Sequence, residues 1–115
     1  MDRTLILDCN QKIGENVKIC GWIQTRRDHG KILFLDVYDR SGLIQVVVSN
    51  GAHLRGVSQT EPKLHLGGEI SPQDVVSITG KVNKRPQNLV NKNIPTGEIE
   101  IVADEIEVLS KAEKL

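Results

Sequence analysis

Lys31-Ile32-Leu33-Phe34-Leu35-Asp36-Val37-Tyr38, then Asp39-Arg40-Ser41-Gly42, then Leu43-Ile44-Gln45-Val46-Val47-Val48, is the stretch on which the fold turns. Two runs rich in β-branched and aromatic residues flank a polar turn ending in glycine, the pattern of two neighbouring antiparallel strands. Successive side chains leave a strand on opposite faces. Leu33, Leu35 and Val37 therefore share one face, and Ile32, Phe34, Asp36 and Tyr38 share the other. In the next run Ile44, Val46 and Val48 point inward and Gln45 points out. The first face is core. The second poses a question, because it leaves a Phe on the side where water is expected.

The same alternation extends outward in both directions. Upstream, Val17, Ile19, Gly21 and Ile23 alternate with Lys18, Cys20, Trp22 and Gln24, which predicts a first strand closed by Arg26 and Arg27 beside the turn Asp28-His29-Gly30. Downstream, residues 74–83 form a fourth strand and residues 98 to about 108 a fifth. There Ile99, Ile101 and Ala103 are inward, and Glu98, Glu100, Val102 and Asp104 outward. Residues 49–72 carry four glycines and no alternation, with a short helical turn expected at 63–66. Long connections of this kind are uncommon in compact domains and often carry function.

The composition points the same way. The chain holds 12 Ile and 12 Val but only three aromatics, Trp22, Phe34 and Tyr38, an excess that favours sheet. Its 115 residues leave room for one domain. Five strands with a long connection between the third and fourth fit an all-β, five-stranded Greek-key OB-fold barrel over residues 1–110. A sandwich would want about seven strands. The polar residues 111–115 read as the start of a linker.

Charge and cysteine usage exclude several classes. Fifteen basic residues balance fifteen acidic ones, so the chain is not one that wraps duplex phosphates. No apolar run approaches the ~18 residues of a membrane helix, and the N-terminus lacks a signal-peptide pattern, so a cytoplasmic, non-membrane protein is expected. Cys9 and Cys20 have no metal-ligand spacing and read as small packing residues. His29, His53 and His65 show no spacing for a metal or a nucleophile.

Phe34, Gln45 and Glu100 share the outer face by parity. An exposed aromatic on the second strand of an OB barrel is the position for stacking a base of a single strand. An outward amide and an outward carboxylate can read base edges, the carboxylate only where a base offers it hydrogens. Cations for phosphates gather in two groups, Arg26, Arg27 and Lys31, and Lys81, Lys84, Arg85 and Lys92. Two local groups on a neutral chain suit a short single strand.

These residues fall in recognisable strings. Gly21-Trp22-Ile23, Arg26-Arg27-Asp28-His29-Gly30, Phe34-Leu35-Asp36, Asp39-Arg40-Ser41-Gly42, Gln45-Val46-Val47, Arg85-Pro86 and Thr96-Gly97-Glu98-Ile99-Glu100 occur in this order. Together they resemble the N-terminal anticodon-binding domain of bacterial aspartyl-tRNA synthetases, over nearly the whole chain. The chain departs from that pattern at Lys31, at Tyr38 and through 51–72. The resemblance implies that Phe34 stacks on the middle anticodon base, a uracil that Gln45 hydrogen-bonds. It implies that Glu100 reads the first base, a guanine or its modified form, and that Arg27 contacts the anticodon loop. His29 resembles the position in relaxed enzymes that charge both tRNA(Asp) and tRNA(Asn).

The sequence offers no catalytic constellation: the class II synthetase motifs, a Ser/His/Asp set and a glycine-rich phosphate cradle are all missing. The resemblance therefore implies one binding piece of an ATP- and Mg-dependent, homodimeric aspartate–tRNA ligase, with no cofactor bound by this chain itself and the catalytic domain beyond the linker. The alternative is a free-standing OB module that binds single strands without sequence preference or docks another protein, since a fold does not by itself fix a function.

Overall fold

The computed structural model describes residues 2–30, 32–49, 53–55 and 70–110. Five long strands and one short one make a single sheet: β1 (Asn16–His29), β2 (Ile32–Asp39), β3 (Gly42–Ser49), β4 (His53–Arg55), β5 (Val75–Lys84) and β6 (Ile99–Ser110). β1 pairs antiparallel with both β2 and β5, β2 with β3, and β5 with β6. A parallel pairing of β3 with β6, Gln45 against Glu100, closes the ring. This is the expected five-stranded OB barrel. The helical turn expected at 63–66 lies outside the described residues, as do residues 111–115.

Two details differ from the strand reading. The connection after β3 contains β4, which runs parallel to β6 with His53 opposite Glu105; a three-residue strand is too short to register as alternation. β1 also continues through Arg26 and Arg27 to His29, instead of stopping before Asp28. The turn to β2 comes at Gly30, whose φ of +67° is a left-handed conformation that glycine adopts without a Cβ clash.

The barrel interior is aliphatic. Val17, Ile19, Ile23, Leu33, Leu35, Val37, Ile44, Val46, Val48, Ile78 and Ile101 are buried, as the alternation requires, and Ile106 is buried with them. A 3-10 turn, Ile6–Gln11, adds buried Ile6 and Cys9 to this core. It is tied to the β2–β3 turn by Asp39, whose Oδ2 accepts the Ile6 amide at 2.9 Å. Asp39 Oδ1 accepts the Ser41 amide and hydroxyl at 2.7 and 2.6 Å and the Gly42 amide at 3.2 Å. No helix among the described residues is long and apolar enough to cross a membrane.

Bulges in β1 and β6 reset the parity. Ile23 pairs with Val37 and Thr25 with Asp36, so Gln24 is the extra residue in β1. In β6 the register shifts around Asp104, which turns Ile106 and Val108 inward after Ala103. The first bulge decides the functional face. Without it Gln24 and Arg26 would follow Trp22 outward; with it Thr25, Arg27 and His29 do.

Candidate nucleic-acid interface

Cross-strand partners share a face, so the registers define two outward rows. One runs Thr25, Asp36, Gln45, Glu100, Asn83 across β1, β2, β3, β6 and β5. The next runs Arg27, Phe34, Val47, Val102, Lys81. His29 stands one rung beyond Arg27, opposite Ile32. All five residues singled out from the sequence, Arg27, His29, Phe34, Gln45 and Glu100, thus meet on one outer face. Their contacts are specific.

Phe34 is half-buried, with the His29 ring perpendicular to it, ring centres 5.3 Å apart and planes at 89°. The Arg27 guanidinium carbon lies 5.9 Å from its ring centre, at the outer limit of a cation–π contact. Both side chains pack against the ring from the end of β1.

Beside it runs a chain of polar contacts. Arg27 donates from Nη1 to Asp36 at 2.5 Å and from Nη2 to Gln45 Oε1 at 3.1 Å. Gln45 Nε2 donates to Glu100 Oε1 at 3.1 Å. Thr25 donates its hydroxyl to Asp36 at 2.5 Å. Gln45 is only 7% exposed, so its amide is fixed by a cation at one end and a carboxylate at the other. Such charge-assisted bonds are about twice as strong as neutral ones. The amide is oriented before any ligand arrives.

The start of β6 holds Glu100 against Gln45. Thr96 donates its hydroxyl to the Leu43 carbonyl of β3, and the buried Gly97 closes the turn before β6 through its carbonyl, which accepts the Asn91 amide at 2.9 Å. A Cβ on Gly97 would sit 1.5 Å from the Asn91 carbonyl oxygen, so only glycine fits. That tether fixes the Thr96-to-Glu100 string.

The cation groups divide differently from the sequence reading. Arg26 turns toward the barrel end, donating to the Ile70 carbonyl at 2.6 Å and pairing with Asp28 at 3.0 Å. Arg85 donates to the carbonyls of Ile99 and Leu89 at 2.8 and 3.3 Å. Burial lowers its guanidinium pKa, opposed by the charges of Glu100 and Asp36. Both arginines are therefore structural holders and not free phosphate ligands. Lys81, Lys84 and Lys92 are exposed. Lys31 falls outside the described residues. Asp36 and Thr25 are the site residues that sequence reasoning left without a role. The signal was present: an outward carboxylate beside Phe34 needs a cation, and Arg27 was the nearest.

A closed five-strand barrel with an aromatic, an amide and a carboxylate on its outer face defines an OB-type nucleic-acid-binding domain. The tRNA anticodon family model, described as an OB-fold nucleic acid binding domain, matches residues 17–109, and the chain belongs to that family. It is 45% identical over 101 residues to an Aspartate--tRNA(Asp/Asn) ligase of Trichodesmium erythraeum, covering 88% of this chain and 16% of the relative. The chain thus spans about one-sixth of the length of such relatives. Among solved structures, an aspartyl tRNA synthetase from Entamoeba histolytica superposes over 100% of this chain and 23% of its own, with a TM-score of 0.78 and 23% identity. An OBody bound to hen egg-white lysozyme covers 97% of this chain and 99% of its own at a TM-score of 0.69 and 25% identity.

Proposed function

We propose that this chain reads the anticodon loops of tRNA(Asp) and tRNA(Asn) as the binding domain of an aspartate–tRNA ligase of relaxed specificity. The single observation that carries this reading is the contiguous set Phe34, Gln45 and Glu100 on one outer face, with Gln45 in register with Glu100. Phe34 stacks the middle base, a uracil; Gln45 hydrogen-bonds its edge; Glu100 accepts from the first base, a guanine. In the free chain the Gln45 amide and the Glu100 carboxylate satisfy each other. A correct base replaces that bond with its own, whereas a wrong one leaves a nearly buried amide unpaired, at about 1–3 kcal/mol. Discrimination comes from this asymmetry. On the same reading the complete enzyme is a cytoplasmic homodimer, and ATP and Mg are handled by a catalytic part outside this chain.

None of Phe34, Gln45 or Glu100 addresses the third anticodon letter. His29, at the end of β1 against Phe34, is the nearest candidate, which makes the two tRNAs hard to separate. Titration of two anticodon stem-loops differing only in C or U at that letter is expected to give affinities within about tenfold. Phe34→Ala is expected to weaken both by roughly 1–3 kcal/mol with the circular dichroism unchanged. A preference for the aspartate loop well beyond tenfold ends the relaxed reading alone. Equal binding of any oligonucleotide would favour a free-standing, sequence-indifferent OB module.

A further inference from the structure

The chain's three aromatic residues all stand on the outer face of the β1–β2 ladder, and none is in the core. Phe34 is opposite Arg27, Asp36 opposite Thr25, and Tyr38 opposite Trp22, three successive outward rungs. A buried aromatic contributes far more by leaving water than an exposed one. Here the core is built from Ile, Val and Leu while every large flat ring is kept outside. Phe34 belongs to the site already described. Trp22 and Tyr38 do not.

Their arrangement is built. Trp22 is 43% exposed and stacks on Tyr38 with ring centres 5.6 Å apart and planes 22° from parallel. The Tyr38 hydroxyl donates to Gln73 Oε1 at 3.2 Å. Gln73 has a φ of +71°, an uncommon conformation for a residue with a Cβ, and its amide donates to the Ile23 carbonyl at 2.6 Å. Backbone held in this way costs energy and tends to occur at functional sites. Beside the pair is a groove of about 310 Å³ lined by Trp22, Cys20, Val75, Arg3 and Arg40. Arg3 and Arg40 are exposed with no ion-pair partner among the described residues. The Asp39 carboxylate at its rim is taken up by its own turn and by Ile6.

We infer that Trp22 and Tyr38 form a second stacking platform, taking a base of the same RNA strand outside the bases read at Phe34, with Arg3 and Arg40 on its phosphates. The inference rests on the anticodon reading and extends it. Four residues of strand separate Phe34 from Tyr38, about 13 Å. OB folds cover about 4–16 nucleotides, more than one aromatic can stack. An RNA strand is favoured over an acidic protein segment because the platform continues the Phe34 face and carries rings next to cations, which suit bases and phosphates together.

Trp22 is the chain's single tryptophan, so its fluorescence reports the platform directly. The test titrates the 115-residue chain with the anticodon stem-loop, following tryptophan emission and, separately, affinity by calorimetry. The stem-loop is expected to quench Trp22. Trp22→Leu is expected to weaken binding by about 5- to 150-fold while leaving the G-over-A preference at the first anticodon letter unchanged, because stacking is indifferent to sequence. Arg40→Gln is expected to flatten the slope of log K against log salt by about 0.7, and it carries the test if Trp22→Leu misfolds. Undiminished binding with unquenched emission overturns the platform and leaves the anticodon reading standing. Loss of the G-over-A preference in Trp22→Leu also overturns it, making Trp22 a support of the reading site. Quenching by a poly-glutamate peptide and not by RNA would assign the surface to a protein. A wild-type chain that binds no stem-loop removes the anticodon reading and this inference together.

Discussion

Glu100 is a carboxylate on the face that the proposed reading turns toward a polyanion, tolerable because Gln45 Nε2 donates to it at 3.1 Å and because a guanine edge has hydrogens to offer. Glu100→Gln keeps the shape and an acceptor for Gln45 but halves the acceptor capacity toward a base. The preference for G over A at the first anticodon letter should then narrow by about 1–3 kcal/mol, measured with paired stem-loops. A uniform loss for both bases would instead make Glu100 a structural charge. Arg27 does more than offer a charge to the RNA. Its guanidinium bonds Asp36 and Gln45, so it also holds the amide in place.

The turn between β2 and β3 depends on one side chain. Burial raises the Asp39 pKa, but hydrogen bonds from the Ser41 hydroxyl and the amides of Ile6, Ser41 and Gly42 outweigh it and lower the carboxyl below its ordinary 3.8. A folded value below the unfolded one stabilises the chain above the unfolded pKa, and that stabilisation is lost as pH falls through the folded value. Urea unfolding followed from neutral pH to below 3.8 should therefore show a fall in stability, steepest in the acid part of the range. In Asp39→Asn this acid-dependent part should shrink, with lower stability at neutral pH. An identical pH profile in the variant would mean that the carboxylate anchors nothing. Cys9, on the turn that Asp39 tethers, has its thiol pushed up to about 11, chiefly by burial, so it stays protonated and unreactive at neutral pH.

At the scale of the whole chain the net charge is +0, and Arg26, Arg27 and Arg85 are engaged internally. Long-range steering is therefore weak, and on the anticodon reading affinity comes mainly from stacking and base-edge hydrogen bonds. Stem-loop binding should show a log K against log salt slope no steeper than about −3, the release expected from roughly four phosphates of a single strand. A much steeper slope would mean that phosphate contacts dominate and that the reading face is secondary.

The barrel was legible in the sequence because its core obeys a strict period of two. Leu33, Leu35, Val37, Ile44, Val46 and Val48 needed no tertiary information to be assigned inward, and Phe34, Gln45 and Glu100 became outward in the same step. The strings around them also carried the family. Two kinds of fact could not be read that way. A bulge inserts one residue without any composition signal, so the outward turn of Arg27 and the inward turn of Arg26 depend on Gln24 facing no partner on β2. The β3–β6 closure joins residues 55 apart in the chain, bringing Gln45 and Glu100 into a hydrogen bond that local alternation cannot register. Parity along one strand is a local property of the backbone, legible residue by residue. Which strands become neighbours, and in what register, is settled only when the sheet closes on itself and the aliphatic faces leave water together.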